Sequence, residues 1–342
     1  MDKWYKCKET SDGVIISSRI RLARNIKKYS FSSAIKKEDA EKVISESRNV
    51  IENAEVLEDK YSYMDLQTLS EIEKRKLMEK HIISPYLVKN GDRAGVILRE
   101  DESVSVMLNE EDHIRIQAIR AGNNLKSAYE EADKMDDLME DKIEYAFDKD
   151  FGYLTSCPTN IGTGMRASFM VHLPYLEKIG HLKNLIQTLG KFGVAVRGIY
   201  GEGTEPSGSI YQISNQRTLG KSEQEIMDTL QNITVQIIEK ERNMVIKKLE
   251  TERVVMEDSV YRAYGILTNC RLLTMKEAMS RLSEIRFGYM YDLLKEKKPI
   301  HNIYHIMMNI QFGNLQTYAQ KELEEGERDE IRAEYLRKCF EV

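Results

Sequence analysis

The stretch 107–116 places carboxylates, an imidazole and a guanidinium within a few positions, in the order Met-Leu-Asn-Glu-Glu-Asp-His-Ile-Arg-Ile. Such groups together can hold a charged substrate or handle its proton. Side chains in a strand repeat every two residues. The pattern therefore predicts a strand with Glu111, His113 and Arg115 on one face and the two isoleucines buried on the other. An ordinary half-exposed strand carries similar charges, so this segment alone does not decide the function.

Five arginines strengthen the case because each stands in a distinctive local sequence. Two of them alternate with Ile and Leu in the segment 18–24, and a third is the arginine of the stretch 107–116. The fourth follows a Cys-Pro-Thr-Asn run, and the fifth precedes a Gly-rich segment. They are Arg19, Arg21, Arg115, Arg166 and Arg197. Arginine offers a planar, permanently charged fork that binds phosphate oxygens bidentately. As a set they indicate a polyphosphate ligand, although each alone is typical of a solvated surface.

The remaining pattern predicts a mixed α and β part over 14–221, followed by helices. Predicted strands are 14–24, 94–98, 104–108, 168–173, 193–197 and 209–213, and predicted helices are 38–53, 68–80 and about 124–147. The strands 94–98 and 104–108 are expected to form a hairpin. Beyond them, Ser222–Glu225 and Thr274–Glu277 have the form of capping boxes that begin helices. The apolar stripes of these helices predict a core, and one of them is also open to use at a dimer interface.

The segment 198–208 holds four glycines in eleven residues. Such a segment can move and close over a ligand. It is equally compatible with a slack connection between two strands. The sequence leaves these alternatives open.

Composition excludes several function classes. The chain has 342 residues, a net charge of -5, 41% hydrophobic residues and 31% charged residues. This length and composition are typical of a globular protein with one or two domains. No apolar segment follows the first charged residues, so a secretory leader is not expected, and no apolar run reaches the roughly 18 residues that span a membrane. Its four scattered cysteines have no metal-ligand spacing, which favours reduced thiols in the cytoplasm and no metal site. The acidic balance argues against direct nucleic-acid binding.

Four motifs, in order and spacing, resemble the phosphagen (guanidino) kinase family, which contains creatine and arginine kinases. They are Ser17–Arg21, Asn109–Arg115, Cys157–Ala167, and Arg197–Gly198 with Ser214–Asn215. The resemblance implies an α+β fold with a phosphagen-kinase-type catalytic domain over 1–244, an antiparallel β-sheet flanked by helices. An all-α C-terminal domain is expected over 245–342.

The resemblance also assigns the candidate site. It implies that the carboxylate of Glu111 binds the substrate guanidinium and that Cys157 is a thiol beside the substrate. It also implies that Glu202 is the second catalytic glutamate that the arginine-specific members have. A small buried hydrophobic residue is the other interpretation of that cysteine. The cofactors implied are ATP and Mg²⁺. The implied ATP-binding residues are Ser17, Ser18, Arg19, Ile20, Arg21, His81, Arg115, Arg166, Ala167, Ser168, Phe169, Met170, Arg197, Gly198, Ile199, Tyr200 and Gly201.

Two departures narrow the resemblance to the bacterial protein arginine kinases. The metabolite kinases begin with a helical domain that encloses a small substrate, and this sequence has no counterpart of that domain before Ser17. The active site is therefore expected to admit a guanidinium that is still attached to a protein. The helical tail contains Arg328, Asp329, Arg332 and Ala333 in the family's R-D-x-x-R-A pattern, which implies a second, allosteric phosphoarginine site. Without the family, the same residues describe an exposed helical face with i,i+4 charge pairs.

The implied activity is ATP-dependent phosphorylation of arginine side chains in proteins, within a cytoplasmic stress response. The implied partners are substrate proteins bound through exposed arginines, a Clp-type unfoldase and protease, and a heat-shock repressor. A homodimer and an activator protein are also expected. Two rivals stay open, namely a kinase of free arginine or another small guanidino compound, and a non-enzymatic adaptor that binds phosphoarginine.

Overall fold

The computed structural model describes residues 3–7, 13–198, 207–294, 300 and 302–340, and every structural statement below concerns this part of the chain. Its α-helices are α1 (Lys37–Glu52), α2 (Glu71–Glu79), α3 (Pro85–Lys89), α4 (Leu125–Glu140), α5 (Pro174–Lys178), α6 (His181–Lys191), α7 (Glu223–Asn269), α8 (Met275–Met290), α9 (Ile303–Asn309), α10 (Phe312–Ala319) and α11 (Glu325–Phe340). None of these helices is both long and apolar enough to cross a membrane.

An eight-stranded sheet forms the centre of the fold, in the order β2-β3-β4-β5-β1-β8-β10-β9, and its neighbouring strands are antiparallel. Its strands are β1 (Ile15–Arg24), β2 (Tyr61–Asp65), β3 (Gly95–Arg99), β4 (Val104–Leu108), β5 (Ile114–Ala121), β8 (Met165–His172), β9 (Val194–Gly198) and β10 (Ile210–Asn215). A small separate pair consists of β6 (Phe147–Asp148) and β7 (Gly152–Tyr153). Together with the helices that flank the sheet, this confirms the predicted α+β class.

One face of the sheet carries the main hydrophobic core. Ile20 and Leu22 on β1 are fully buried there with Ile114, Ile116 and Phe169 from the neighbouring strands. The helices α1 and α4 cover this face, and α4 lies across both β1 and β5. Because successive side chains in a strand point to opposite faces, the arginines that alternate with Ile20 and Leu22 must lie on the other face. The alternation predicted for this strand is confirmed.

The C-terminal helices cover one end of that other face. Ile119, Met170 and Ile210 share the arginine face by strand register and are buried in a second cluster with α7, α8 and α9. The helix α7 begins at a capping box in which Ser222 and Glu225 bond each other's backbone amide, as the sequence predicts. It is helical through residues 244–245, and its backbone is non-helical at Glu252, where two helical segments meet at a kink. The first of these segments leads from the sheet toward the helical tail.

The segment 107–116 is not a continuous strand, so that prediction was wrong. The chain leaves β4 at Leu108, turns through Asn109 at a φ of 55°, and enters β5 only at Ile114. His113 is fully buried, its Nδ1 accepts from the Ile26 amide at 3.0 Å, and its Nε2 donates to the Ser30 carbonyl at 2.9 Å. Burial lowers the pKa of His113, so this imidazole is neutral and structural.

The predicted hairpin of 94–98 and 104–108 is confirmed as β3 and β4. The helix predicted over 124–147 ends earlier, at Glu140. Its last predicted residues pair instead with the end of β1, where the Ala146 amide donates to the Asn25 carbonyl at 2.7 Å. Backbone pairing to a neighbouring strand therefore outcompetes helix propensity there.

A buried carboxylate makes stability depend on pH. The two oxygens of Glu241 on α7 accept from the Tyr175 and Leu176 amides at the start of α5, both at 2.8 Å. Burial raises the pKa of Glu241 from 4.5 to about 7, although these hydrogen bonds oppose the shift. Between those values the native state binds the proton more tightly than the unfolded chain. The free energy of unfolding should therefore fall as pH rises from about 4.5 to 7, by on the order of 1–3 kcal/mol.

Urea unfolding at pH 5 and pH 8 measures this effect. The neutral variant Glu241→Gln should lose that part of the pH dependence, whereas Glu250→Gln, an exposed change on the same helix, should keep it. An unchanged pH dependence in Glu241→Gln would show that another group is responsible.

Candidate active site

Strand register brings the arginines together. Arg21 on β1 lies directly opposite Arg166 on β8, and Arg19 lies opposite Ser168. Directly opposite residues have Cβ atoms about 4.5–5.5 Å apart. Arg115 enters the same face from β5 and Arg197 from β9, where it pairs with Gln212. Five predicted arginines separated by as many as 178 positions therefore share one face of the sheet.

Two cavities open on this face and have four arginines in common. The first, about 520 Å³, is lined by Glu111 and Cys157 and is called the cysteine cavity below. The second, about 490 Å³, is lined by His81 and Tyr86 and is called the histidine cavity. The residues that line both are Arg21, Arg115, Arg166 and Arg197. A group lying between the two cavities would be surrounded by guanidinium groups.

The electrostatics of this cluster favour a polyanion. Burial, and secondarily the charges of Arg115 and Arg166, lower the pKa of Arg19 to about 10. Burial and the neighbouring arginines also lower the pKa values of Arg21 and Arg166. Like charges this close repel one another, and a bound anion relieves that repulsion. The cluster is therefore organised for a ligand with several negative charges.

Glu111 stands at the end of the turn between β4 and β5. Its Oε2 accepts from Arg115 Nη2 at 3.0 Å, and 44% of its side chain is exposed in the cysteine cavity. The preceding Glu110 is buried, pairs with Arg115 Nη1 at 2.7 Å and accepts from the Ser84 hydroxyl at 2.6 Å. Arg115 is thus held by Glu110, and Glu111 presents a carboxylate to the cavity.

Asp112 fixes the distance between Glu111 and Cys157. Its buried Oδ1 accepts from the Ser156 amide at 2.6 Å and from Asn25 Nδ2 at 2.7 Å. The turn and the cysteine segment are therefore tied to each other and to the end of β1. Cys157 Sγ lies 3.1 Å from Thr159 Oγ1 and lines the cavity with the glutamate. The cavity contact favours the interpretation of Cys157 as a substrate neighbour over a buried hydrophobic residue.

His81 joins the histidine cavity to the C-terminal helices. It adopts a φ of 61°, and its Nε2 shares a 2.6 Å hydrogen bond with the buried hydroxyl of Tyr304 on α9. Burial, and then the charges of Arg19 and Arg21, lower the pKa of His81 to about 3. The imidazole is therefore neutral and adds no charge to the arginine cluster. No local motif in the sequence marks Tyr304 as part of this site.

Several predicted residues are not at the cavity walls. Ser168 lies on the cavity side, where Arg19 Nε donates to its hydroxyl at 3.4 Å. Ala167 and Phe169 point into the core on the opposite face. Those that line neither cavity are Ser17, Ser18, Ile20, Ala167, Ser168, Phe169, Met170 and Gly198. Any contact with a nucleotide in these cavities would therefore fall to Ser168 or to backbone groups. Ile199, Tyr200, Gly201 and Glu202 lie outside the described residues.

Two further cavity residues, Gln212 and Arg217, were not predicted from the sequence. Gln212 accepts from Arg19 Nη2 at 2.7 Å, and Arg217 lines the cysteine cavity together with Glu111. Arg217 lies two positions after the Ser214–Asn215 motif, so its position in the sequence was the available signal.

The tail motif lies on α11, away from both cavities. Arg328 donates to the Leu323 carbonyl at 2.7 Å and lies over the ring of Phe312. Arg332 is buried and donates to the Leu273 carbonyl at 2.8 Å, and it forms an ion pair with Asp329. Ala333 is fully buried in the second hydrophobic cluster. In this conformation Arg332 holds the helices together, and Arg328 is the more accessible of the two arginines.

Comparison with known proteins shows the family. Residues 42–244 match the ATP:guanido phosphotransferase C-terminal catalytic domain, and residues 253–342 match the protein-arginine kinase McsB C-terminal domain. The chain belongs to the protein-arginine kinase family. A protein-arginine kinase of Caldanaerobacter subterraneus subsp. tengcongensis is 43% identical over 94% of this chain and 96% of its own. One of Bacillus subtilis is 42% identical over 98% of this chain and 93% of its own.

The solved structures agree on the fold of the catalytic part. The duplicated taurocyamine kinase from Schistosoma mansoni superposes with a TM-score of 0.60 and 26% identity, covering 69% of this chain and 34% of that one. The family predicted from four motifs is thereby confirmed. This chain and that taurocyamine kinase therefore share the fold of the catalytic part.

Proposed function

We propose that the protein transfers the γ-phosphoryl group of ATP to the guanidinium of arginine side chains in proteins. The observation that carries this proposal is the wall of four arginines common to the two cavities. With the nucleoside of ATP toward His81 and an arginine side chain toward Glu111, the transferring group lies between those guanidinium groups. A phosphoryl group in transfer spreads its charge over its oxygens, which is where arginine stabilises it.

The chemistry explains the role of Glu111. The pKa of a guanidinium lies far above neutral pH, so removing its proton at pH 7 costs on the order of 7 kcal/mol. A carboxylate is too weak a base to do this beforehand. Glu111 instead holds the planar group and aligns one nitrogen with the γ-phosphorus. As the N–P bond forms and the bond to the ADP oxygen breaks, the nitrogen becomes acidic, and its proton passes to the carboxylate of Glu111 and from there to water. Glu202 is proposed as the second carboxylate.

Magnesium fits this site as a companion of the nucleotide. Among the described residues no three carboxylate, histidine or cysteine side chains come together as metal ligands. Mg²⁺ at nucleotide sites usually keeps phosphate oxygens and waters as most of its ligands. The carboxylates that line the cavities, Glu110 and Glu111, would contact such a hydrated ion. When bound, the ion neutralises charge on the phosphates.

Several observations favour a protein substrate over a free guanidino compound. The curated relatives named above are protein-arginine kinases, and the tail matches the C-terminal domain of that family over 253–342. Glu111 is nearly half exposed at its cavity, as access for a residue still attached to a chain requires. The adaptor alternative does not explain why Glu111, Cys157 and four shared arginines surround connected cavities.

The decisive experiment is incubation with Mg-ATP and an unfolded arginine-rich protein, followed by mass spectrometry. Phosphate should appear on arginine and be labile in acid and stable in base. Free arginine, tested at matched guanidinium concentration, should be a much poorer acceptor. Acid-stable phosphate on serine or threonine would overturn the mechanism, and preference for free arginine would support the metabolite kinase instead.

The C-terminal helices should contribute to ATP binding through Tyr304. Replacing Tyr304 by phenylalanine removes the buried hydroxyl that fixes His81 at the histidine cavity. One such hydrogen bond contributes about 0.5–1.5 kcal/mol, so the KM for ATP should rise roughly 2–12-fold. Because no reacting atom is touched, kcat should change little. Steady-state kinetics with Tyr261→Phe, an exposed tyrosine on α7, provide the control. A lower kcat at unchanged KM would contradict this assignment.

We propose in addition that the tail motif binds phosphoarginine and activates the enzyme. Arg328 and Asp329 are the accessible members, and Arg332 is structural in this conformation. Arg328→Ala should therefore reduce activation by added phosphoarginine and leave basal transfer unchanged. Arg271→Ala, an exposed change at the α7–α8 connection, is the matched control. Undiminished activation in Arg328→Ala would refute the second site.

The cellular role is proposed from the family resemblance alone. It comprises a cytoplasmic stress response in which marked proteins pass to a Clp-type unfoldase and protease, or a heat-shock repressor is inactivated. A homodimer and an activator protein belong to the same proposal. A phosphoarginine proteome of cells with and without this protein would test it, because phosphoarginine should disappear from the substrate proteins in its absence.

A further inference from the structure

A third polar cavity lies apart from the active site, where the N-terminal segment 3–7, α2 and the C-terminal helices meet. Its volume is about 300 Å³. Its charged wall consists of Lys3, Lys6, Lys76 and Lys80, and we call it the lysine cleft. None of the residues assigned to the active site or to the tail motif lines it. It therefore needs its own explanation.

The positive charge of the lysine cleft is only partly balanced. Glu102 pairs with Lys3 and with Lys80, the latter at 3.1 Å. Among the residues that the structure describes, Lys6 and Lys76 form no ion pair. Burial, and then the charges of Lys3 and Lys76, lower the pKa of Lys80 against the attraction of Glu102. Two of the four ammonium groups thus share one carboxylate, and the other two have no carboxylate partner among the described residues, so the excess positive charge favours a bound anion with more than one negative charge.

Neutral hydrogen-bonding groups complete the wall. Asn309 on α9 donates to Tyr335 on α11 at 2.9 Å and lies 3.1 Å from His305 Nε2, so these three side chains are fixed relative to one another. Thr317 and Tyr318 on α10 add hydroxyl groups. No carboxylate lines the cleft among the described residues. Amide, hydroxyl and ammonium donors together suit phosphate oxygens.

We propose that the lysine cleft binds a small phosphorylated anion, a pyrophosphate or a phosphate monoester, at a site separate from the nucleotide cavity. Lysine supplies compact point charges there, whereas arginine forks line the active site. A phosphoarginine is disfavoured, because its guanidinium would meet four ammonium groups, and the only carboxylate paired with any of them among the described residues, Glu102, does not line the cleft. A bound anion would link three parts of the fold, namely the N-terminal segment, α2 and the C-terminal helices.

This difference in residue type gives a selective probe. Pyridoxal 5′-phosphate has a phosphate monoester for the cleft and an aldehyde that condenses with a lysine amine, forming an imine and releasing water. Borohydride reduces the imine to a stable secondary amine, and peptide mass spectrometry locates it. No lysine lines the cysteine or the histidine cavity among the described residues, so label there is not expected. Label should concentrate on Lys76 or Lys80, and excess pyrophosphate should reduce it about tenfold.

Variants separate binding from simple lysine reactivity. With Lys6→Gln and Lys76→Gln combined, pyrophosphate should no longer protect Lys80. The control combines Lys142→Gln and Lys149→Gln, which removes the same charge from exposed positions and should leave protection intact. Labelling that follows exposure alone, or that pyrophosphate does not reduce, would overturn the proposal. The assay needs no phosphoryl transfer, so its outcome is independent of the proposed kinase activity.

Discussion

Replacing Glu111 by glutamine is expected to reduce phosphoryl transfer to protein arginine by about 10³-fold or more while ATP still binds. The amide keeps the shape of the side chain but loses the charge that holds and aligns the substrate guanidinium. Nucleotide binding should persist because Arg115 keeps its ion pair with the buried Glu110 at 2.7 Å. Single-turnover transfer and ATP titration of the same preparation measure the two effects separately.

Glu144→Gln is the matched control, since this exposed glutamate lies far from the turn in sequence and pairs only with Lys27 among the described residues. It should transfer phosphate at the wild-type rate. If Glu111→Gln lost ATP affinity and transfer together, Glu111 would act by orienting Arg115, whose Nη2 lies 3.0 Å away. Retained transfer would remove Glu111 from the mechanism.

Replacing Arg166 by alanine is expected to lower kcat by about 10²–10³-fold. Arg166 lines both cavities and lies opposite Arg21 across β1 and β8, so it faces the group in transfer. Arg166→Lys keeps a charge but loses the planar fork, and should recover only a small part of the activity. Transfer assays at saturating ATP measure the effect, and Arg48→Ala, at an exposed ion pair on α1, should leave kcat unchanged.

The same substitution should not destabilise the protein. Burial, together with the charges of Arg197 and Arg115, lowers the pKa of Arg166, which means that these surroundings disfavour its charged form. Alanine relieves this repulsion, so the free energy of unfolding should stay the same or rise. Activity and stability then move in opposite directions, as is common where function needs a strained site. A large loss of stability would instead assign Arg166 a structural role.

The C-terminal helices are part of the active-site architecture and not merely an appended domain. Tyr304 holds His81, and buried Glu79 at the end of α2 accepts from the Gly313 and Asn314 amides at the start of α10 at 2.7 and 2.9 Å. Both connections lead from the helical tail to the wall of the histidine cavity. A change in the tail therefore has short physical routes to nucleotide binding.

The sequence by itself determined the family, the alternation of Arg19 and Arg21 with the core residues of β1, and the identity of the shared arginines. These depend on side-chain type and on a period of two, which are local properties. It was wrong about 107–116, because a strand pattern does not reveal that Asn109 adopts a positive φ or that His113 caps a buried turn.

Only the tertiary structure decided which distant groups meet. Antiparallel register across β1, β8 and β5 places Arg21, Arg166 and Arg115 on one wall, and buried Asp112 sets Glu111 beside Cys157. The placement of Tyr304 against His81 joins residues 223 positions apart. Periodicity along a chain specifies which face a side chain takes, but its neighbours on that face are set by strand order and packing between elements far apart in sequence.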